Sequence, residues 1–324
     1  MPTILAQIIM QHQRMILYEF MKQMCIVVSM LDLTALVSLR SVNTHGSVIS
    51  AADALGFSPS AVSQQIKRLE KQVGVPLLER VGRGVILTDH GRRLVDSGGR
   101  LLTDLEVMES GLHRDADRVA GSLRLAAFST AMRGLVAPAV RDVLAAHPDL
   151  SLRVMETEPW DAIDLVADGH CEISVVHSWG DVSLPIPDHL VTRSLLHDEA
   201  HVLVPAGHRL AGRKRVTPAH LIDEDWIATP EGTICRQWLH RMYDGTGRLP
   251  RIAHQSMEFD SHIALVRAGL GIALVPQLGR APLPDDIVAI RAYNPVPTRE
   301  VMALYRRSMA ESPAVLAVVD ALAT

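Results

Sequence analysis

The chain has 324 residues, more than one compact domain usually needs, and its 48% apolar content is enough to bury a sizeable core. Only 4% of the residues are aromatic, which argues against stacking platforms for single-stranded nucleic acid. The net charge of −4 excludes a uniformly basic nucleic-acid binder, but the charge is unevenly spread: Arg40 to Arg100 carries nine Lys/Arg against five Asp/Glu. A local basic patch on an acidic chain still attracts phosphate. The three cysteines, Cys25, Cys171 and Cys235, are scattered, so they give neither a disulfide framework nor a CxxC pair, and a reducing cytoplasm is the expected setting.

In chain order, residues 1–29 are apolar and Met-rich, yet they lack a basic leader segment and a small-residue cleavage site. Arg14, Glu19 and Lys22 interrupt the run before it reaches the ~18 residues of a membrane span. Two readings stay open: an extra helix, or an over-extended reading frame with Met30 as the natural start. "DLTALVSLRSV" (32–42) predicts a short helix with Leu33, Leu36 and Val37 on one side. A second helix from about Ser47 turns Ile49, Ala52 and Leu55 inward and stops at Gly56, a left-handed C-cap. Ser58 is the N-cap and Pro59 the first residue of a third helix, which runs to about Val73 and ends at Gly74. "VPLLERVGRGVILT" alternates around Gly-Arg-Gly and predicts a two-stranded wing.

Thr88 can cap a long helix from Asp89 to about Val119. In it Leu94, Leu101, Leu105, Met108 and Leu112 recur at 7, 4, 3 and 4, a short coiled-coil seam that Gly98 and Gly99 should weaken. Beyond Gly121 the texture alternates strand and helix: "SLRLAAF", "TAMRGLVAPAVRDVLAAHP", "LSLRVME", "WDAIDLVADG", "CEISVV", then "EAHVLVPAGH", "DEDWIAT" and "IALVRAGLGIALVP". That pattern predicts mostly parallel sheet covered by helices on both faces, and roughly 200 residues suit two small α/β lobes.

The third helix carries the functional signal. Val62, Ile66, Leu69 and Val73 form one apolar stripe, while Ser60, Ser63, Gln64, Lys67 and Lys71 collect on the opposite face. Hydroxyl and amide groups bond base edges in a major groove, and a helix N-terminus with lysines holds phosphates. The tight Gly56-Phe57-Ser58 turn between two small helices has helix-turn-helix geometry, and Arg83 at the wing tip reaches for backbone or minor groove. A merely solvated polar face is the competing reading. Helix, turn, capped helix and wing occurring together count against it.

"AADALGFSPSAVSQQIKRLEKQVGVPLLERVGRGVILTDHGRRLV" resembles the amino-terminal winged helix-turn-helix of LysR-type transcriptional regulators, on the strength of "SAVSQQIKRLE", "GVPLLER" and the following Leu-Thr and Gly. "LVADGHCEISVV", "GHRLAGR" and "RAGLGIALVP" resemble segments of the family's effector region, so the likeness spans Met30 to Val319. It implies a multi-domain fold: an N-terminal all-α winged helix-turn-helix (30–88), a linker and dimerisation helix (89–120), and a C-terminal α/β two-lobed periplasmic-binding-protein-like effector domain (121–319) with crossings near 195–200 and 290–295. It also implies double-stranded promoter DNA and a small-molecule effector as partners, a dimer through the linker helix assembling to a tetramer, and neither cofactor nor membrane. Carried over position by position, the DNA contacts are Ser58, Pro59, Ser60, Ser63, Gln64, Lys67, Arg68 and Arg83. Many members have Gln in place of Pro59 and Arg in place of Gln64. Pro59 offers no side-chain donor and Gln64 favours adenine, so the sequence read should differ from the family's commonest one.

Effectors in such lobes sit at strand C-termini against helix N-termini. Ser129 and Thr130 open the helix after the first strand, His177, Ser178 and Trp179 follow the third strand, Thr229 ends a strand of the second lobe, and Glu258 and Phe259 precede a helix. Ser129, Thr130, His177, Trp179, Thr229 and Phe259 are the expected effector contacts. Ser129 also fits a pure capping role, and Arg133 fits either an effector carboxylate or a surface ion pair. "HDEAH" would align His197, Glu199 and His201 on one strand face, but no further ligands stand at the spacing of a zinc site, so no metal is expected. GxSxG, P-loop and GxGxxG motifs are absent, and no enzyme activity is expected. The rival function is a small-molecule sensor whose helix-turn-helix contacts protein instead of promoter DNA.

Overall fold

The computed structural model describes residues 31–323 apart from 83, 116, 117, 181 and 183. The expectations for residues 1–29 and for Arg83 therefore fall outside the described residues. Two compact units divide within one helix, one ending at Leu102 and the other starting at Thr103.

In the first unit, helices α1 (Leu33–His45), α2 (Val48–Leu55) and α3 (Pro59–Val73) precede a hairpin, β1 (Leu78–Val81) and β2 (Gly84–Leu87), and helix α4 (Asp89–Asp115) begins two residues later. Each of the first three helices starts on an oxygen cap, from Asp32, Ser47 and Ser58, and ends on a left-handed glycine, Gly46, Gly56 and Gly74. The core joins Ala35, Leu39, Val42, Ala51, Ala52, Val62, Ile66, Leu69, Leu77 and Leu87. One inward assignment is corrected: Ile49 is 64% exposed, because the short helix α2 approaches its neighbours through Ala51 and Ala52, which allow close backbone contact. On α1, Leu33 faces solvent while Leu36 is buried together with Ala35 and Leu39.

The glycines of α4 also differ in role from the sequence expectation. A Cβ at Gly98 would stand 2.5 Å from Leu36 Cδ2, and one at Gly91 would stand 2.2 Å from the Leu77 carbonyl oxygen. These two residues, seven apart on one face, are where the helix backbone presses onto the winged domain. Gly98 thus trades helix propensity for packing. Of the expected seam, Leu101, Met108 and Leu112 are exposed, joined by Val107.

The second unit is two lobes threaded on shared strands. The first lobe orders its strands β4 (Leu150–Glu156), β3 (Gly121–Ala127), β5 (Ile173–Trp179), β12 (Thr298–Arg306) and β6 (Leu190–Pro205). The second continues from β6 to β10 (Ile272–Pro276), β8 (Asp225–Ala228) and β9 (Arg251–Gln255), with β11 (Ile287–Ala292) on the other edge of β6 and β7 (Arg215–Val216) beside it. Strand β6 pairs with β12 up to Glu199 and with β10 from Ala200, so it leaves one sheet for the other between those residues. The chain returns through residues 293–297, which contain a cis Asn294–Pro295 bond. Pairing is parallel for β3 with β4 and β5 and for β8 with β9 and β10, but antiparallel along β5–β12–β6–β10. The sheet is mixed, because the two crossing strands run against the βαβ strands they join.

Helices cover both faces of each lobe. In the first lobe, α5 (Ser129–Ala131) passes through a π-helical turn (Met132–Val136) into α6 (Ala137–Ala146), which packs with α10 (Pro313–Leu322) over Leu125, Ile173, Val175 and Val301; α7 (Pro159–Ala167) covers the other side. In the second lobe, α8 (Ile234–Met242) and α9 (Phe259–Arg267) do the same around Trp226 and Ile227.

Candidate nucleic-acid interface and effector crevice

Helix α3 shows two faces with different chemistry. Val62, Ile66 and Leu69 are buried, Val73 is half-buried, and Pro59, Ser60, Gln64, Lys67, Arg68 and Lys71 are exposed, with Ser63 half-buried. Lys67 and Arg68 make no ion pair among the described residues, so their charges are available to an external anion. Ser58 is committed locally: its Oγ accepts from the Ala61 N–H (3.2 Å) and lies 2.9 Å from Ser60 Oγ. That cap leaves the first turn's remaining N–H groups pointing outward, a ready phosphate seat.

Three sets of contacts fix this face; the sequence predicts the Thr88 cap but not the other two. Ser38 Oγ donates to Gln65 Oε1 (2.5 Å), tying α1 to α3. Glu70 Oε1 accepts from the N–H groups of Leu77 (2.8 Å) and Leu78 (3.2 Å), which sets where the wing leaves α3. Thr88 Oγ1 accepts from Gly91 N–H (3.0 Å) and donates to the Pro76 carbonyl (2.8 Å), locking the start of α4 to the same turn.

In the two-lobed unit, Trp179, Thr229 and Phe259 come together and line one small cavity with Ile227, Cys235 and His262. His177 and Trp179 lie inside β5, not after it as the sequence predicts, because the antiparallel partner β12 extends that strand to Trp179. Phe128, not Ser129, occupies the N-cap of α5, and Ser129 makes no cap bond, so the alternative capping role of Ser129 is not present. Thr130 is already engaged: its Oγ1 accepts from Arg299 Nη2 at 2.8 Å. His177 packs edge-on between Phe128 (4.5 Å) and Trp179 (6.4 Å). Complete burial, reinforced by the Arg299 charge, holds its pKa well below the ordinary histidine value, so it is a neutral ring at pH 7.

Arg299 is the residue the sequence reading missed. It is fully buried at the head of β12, and its Nε (2.9 Å) and Nη2 (2.8 Å) donate to Asp198 Oδ2. Phe128 and Trp179 cover the guanidinium at 5.0 and 5.8 Å. Asp198 Oδ1 accepts from the N–H groups of Gln277 (3.1 Å) and Leu278 (3.0 Å), so one carboxylate joins the crossing strand, the first lobe and the second. No local signal marked either residue, since Asp198 lies between His197 and Glu199 and Arg299 between Thr298 and Glu300.

The lobes meet across this floor. Trp179 stacks on Trp238 at 6.0 Å with 25° between planes, and Arg133 bonds Glu258 Oε2 (3.2 Å) and the Gly279 carbonyl (3.3 Å) of the opposite lobe. Arg133 is therefore a bridge between lobes. Gly279 lies at φ +68°, and a Cβ there would stand 2.2 Å from the Thr130 carbonyl oxygen, so only glycine permits this approach. Burial pushes the thiols of Cys171 and Cys235 each up to about 11, which leaves both protonated at neutral pH. Glu199 bonds Arg291 at 3.2 Å, and among the described residues no group of three His, Cys, Asp or Glu is placed to hold a metal ion.

A winged helix-turn-helix ahead of a two-lobed α/β unit is the architecture of a DNA-binding regulator with a ligand-responsive domain. Residues 33–92 match the bacterial regulatory helix-turn-helix protein family of LysR type, and residues 116–324 match the LysR substrate binding domain. The chain belongs to the LysR family of transcriptional regulators. It is 30% identical over 283 residues to the small neutral protease regulatory protein of Streptomyces coelicolor, covering 86% of this chain and 83% of that one. It is 28% identical over 240 residues to the RuBisCO operon transcriptional regulator of Allochromatium vinosum, covering 73% and 76%. In fold it matches a full-length OxyR from Pseudomonas aeruginosa with a TM-score of 0.67 at 21% identity, covering 90% and 94% of the two chains. It also matches full-length CbnR complexed with its target DNA, with a TM-score of 0.53 at 19% identity. No helix among the described residues is long and apolar enough to cross a membrane.

Proposed function

We propose that the polar face of α3 enters the major groove of promoter duplex DNA, with Ser60, Ser63 and Gln64 at base edges and Lys67 and Arg68 on phosphates. Pro59 and Ser58 shape the first turn, whose N–H groups meet a phosphate. The single observation that carries this reading is the exposed, unpaired basic and amide face of a helix whose other face is fully packed. A merely solvated helix would place Lys67 and Arg68 in local ion pairs as readily as in solvent.

In the same reading the crevice between the lobes takes a small-molecule effector and the protein has no catalytic role. Trp179, Thr229 and Phe259 form its wall, while Thr130 and His177 support it through Arg299 and the Phe128 ring. The exposed seam of Leu101, Met108 and Leu112 on α4 supports pairing with a second copy, and two such dimers would give the tetramer the resemblance implies. An effector shifts the equilibrium between lobe arrangements through its differential affinity for them, and α4 carries that shift toward the DNA heads.

A gel shift on duplex DNA from upstream of its own coding region tests the reading. Retardation at low salt, weakened across sequences by Lys67→Ala and altered in preference at one base pair by Gln64→Ala, supports it. Failure to retard that DNA at low salt and high protein concentration sinks it and favours the rival, a sensor whose helix-turn-helix contacts protein.

A further inference from the structure

One edge of the second lobe carries charge that the α3 reading leaves unused. Residues 205–222 hold four Lys/Arg and no Asp or Glu, on a chain whose net charge is −4. Arg209 is committed locally: its Nη2 pairs with Glu224 at 2.5 Å and donates to the His220 carbonyl at 3.1 Å. Arg213, Lys214 and Arg215 are exposed and make no ion pair among the described residues. Arg213 Nη1 lies 3.2 Å from the ring nitrogen Nε2 of His220, which brings no negative charge.

The fold turns this ridge outward. Strand β7 pairs only with β11 and so forms an edge of its sheet. Val216 and its register partner Ala292 are buried, so the preceding register pair, Arg215 and Arg291, turns the other way by the alternation of a strand. Arg291 is held by Glu199 at 3.2 Å, and Arg215 stands beside it without a carboxylate of its own. Neighbouring like charges repel, and an external anion relieves that repulsion.

Charge on an edge strand also guards a sheet against pairing with another chain. That role is served by charge of either sign and does not require a row of one sign. No large apolar side chain is exposed between residues 206 and 222. Protein interfaces are anchored by apolar and aromatic side chains and are poor in lysine, so the ridge lacks what a protein partner would bury. A row of cations with nothing apolar beside it suits repeating phosphates, which bind through charge and counterion release.

We propose that Arg213, Lys214 and Arg215 form an auxiliary phosphate-binding ridge, by which the second lobe holds the backbone of duplex DNA without reading its sequence. Each of the three meets a phosphate, while Arg291 stays with Glu199 and adds to the local field. The ligand-responsive domain then touches DNA itself, in addition to α3.

The test is the salt dependence of affinity, measured on the full-length protein with the duplex from upstream of its own coding region and with an unrelated duplex of equal length. The combined variant Arg213→Ala, Lys214→Ala, Arg215→Ala should lower the double-logarithmic slope by about 2–3, since each phosphate contact releases about 0.9 counterions. It should weaken binding to both duplexes by the same factor and leave the preference between them unchanged. Arg213→Lys with Arg215→Lys keeps the charge and should keep the parent's slope. Arg153→Ala with Arg248→Ala removes two exposed cations outside the ridge and should also leave the slope unchanged.

A triple variant with the parent's slope overturns the proposal. If it then forms higher assemblies on size exclusion, the ridge guards the sheet edge; if it binds DNA normally but loses transcription activation, the ridge meets an acidic protein. A control that lowers the slope as far as the triple variant does overturns it as well, because net charge alone would be the cause. A lowered slope in the triple variant with none in Lys67→Ala would keep the ridge and remove the α3 assignment, and the converse would keep α3 and remove the ridge.

Discussion

The α3 face and the crevice floor use the same kinds of side chain under opposite conditions. On α3, Gln64, Lys67 and Arg68 stand in solvent, where an unpaired charge costs little and remains available to a partner. On the crevice floor, Arg299 and Asp198 are out of water, where a charge is tolerated only with a partner in place. The exposed face is therefore free to vary toward a ligand without endangering the fold. The buried pair is a structural joint between the strands it ties, so change there endangers the fold.

That contrast can be broken most forcefully at the joint. Arg299→Ala should strand the Asp198 carboxylate in the interior and cost about 3–5 kcal/mol, read from chemical unfolding. Asp198→Asn in the same background should recover part of the loss. If Arg299→Ala costs no more than Lys67→Ala does, the floor is not the dry joint described here.

The next effect belongs to close packing. Gly98→Leu must displace Leu36 and should destabilise the winged domain by about 1–3 kcal/mol, while Gly99→Leu, with open space at its Cβ, should not. Equal midpoints for the two variants would show that Gly98 only tolerates its contact. Smaller still is the cap: Ser58→Ala should cost about 1 kcal/mol through loss of the Ala61 bond.

The pH dependence sharpens the comparison from the buried side. His177 binds a proton less readily folded than unfolded, because burial and Arg299 lower its pKa. Below the ordinary histidine value of about 6.5 the unfolded chain therefore holds the extra proton, and stability falls as pH drops through that value. His177→Phe should flatten this fall in a pH series of unfolding midpoints. An unchanged slope would place the titration elsewhere, at His201, His240 or His262, whose values burial also lowers.

Sequence legibility followed the same division. The three helices, their caps and the α3 stripe were readable because each signal is local: Ser58-Pro59, Gly56 and Gly74, and apolar residues at 3–4 spacing. Ile49 misled because periodicity marks a face without saying how close the neighbour comes, and alanines at 51 and 52 set that distance. Gly98 misled in the opposite sense, since a helix-weakening residue was the one that allowed contact with Leu36. In the second unit, single strands such as "CEISVV" were visible, but the 16-residue β6 and its switch of sheets were not, because the polar residues at 197–199 broke the apolar pattern. Arg299 lies 101 positions from Asp198 and 169 from Thr130, and no local pattern joins residues that far apart.

The central claim is that the α3 face holds duplex DNA through exposed cations, and salt dependence of binding measures it directly. Affinity of the full-length protein for its upstream duplex should fall linearly with salt on a double-logarithmic plot. Lys67→Ala should reduce that slope by about 0.9 and weaken binding across sequences, since each phosphate contact releases about that many counterions. A Lys67→Ala protein with the parent's slope and affinity would contradict the assignment of this face.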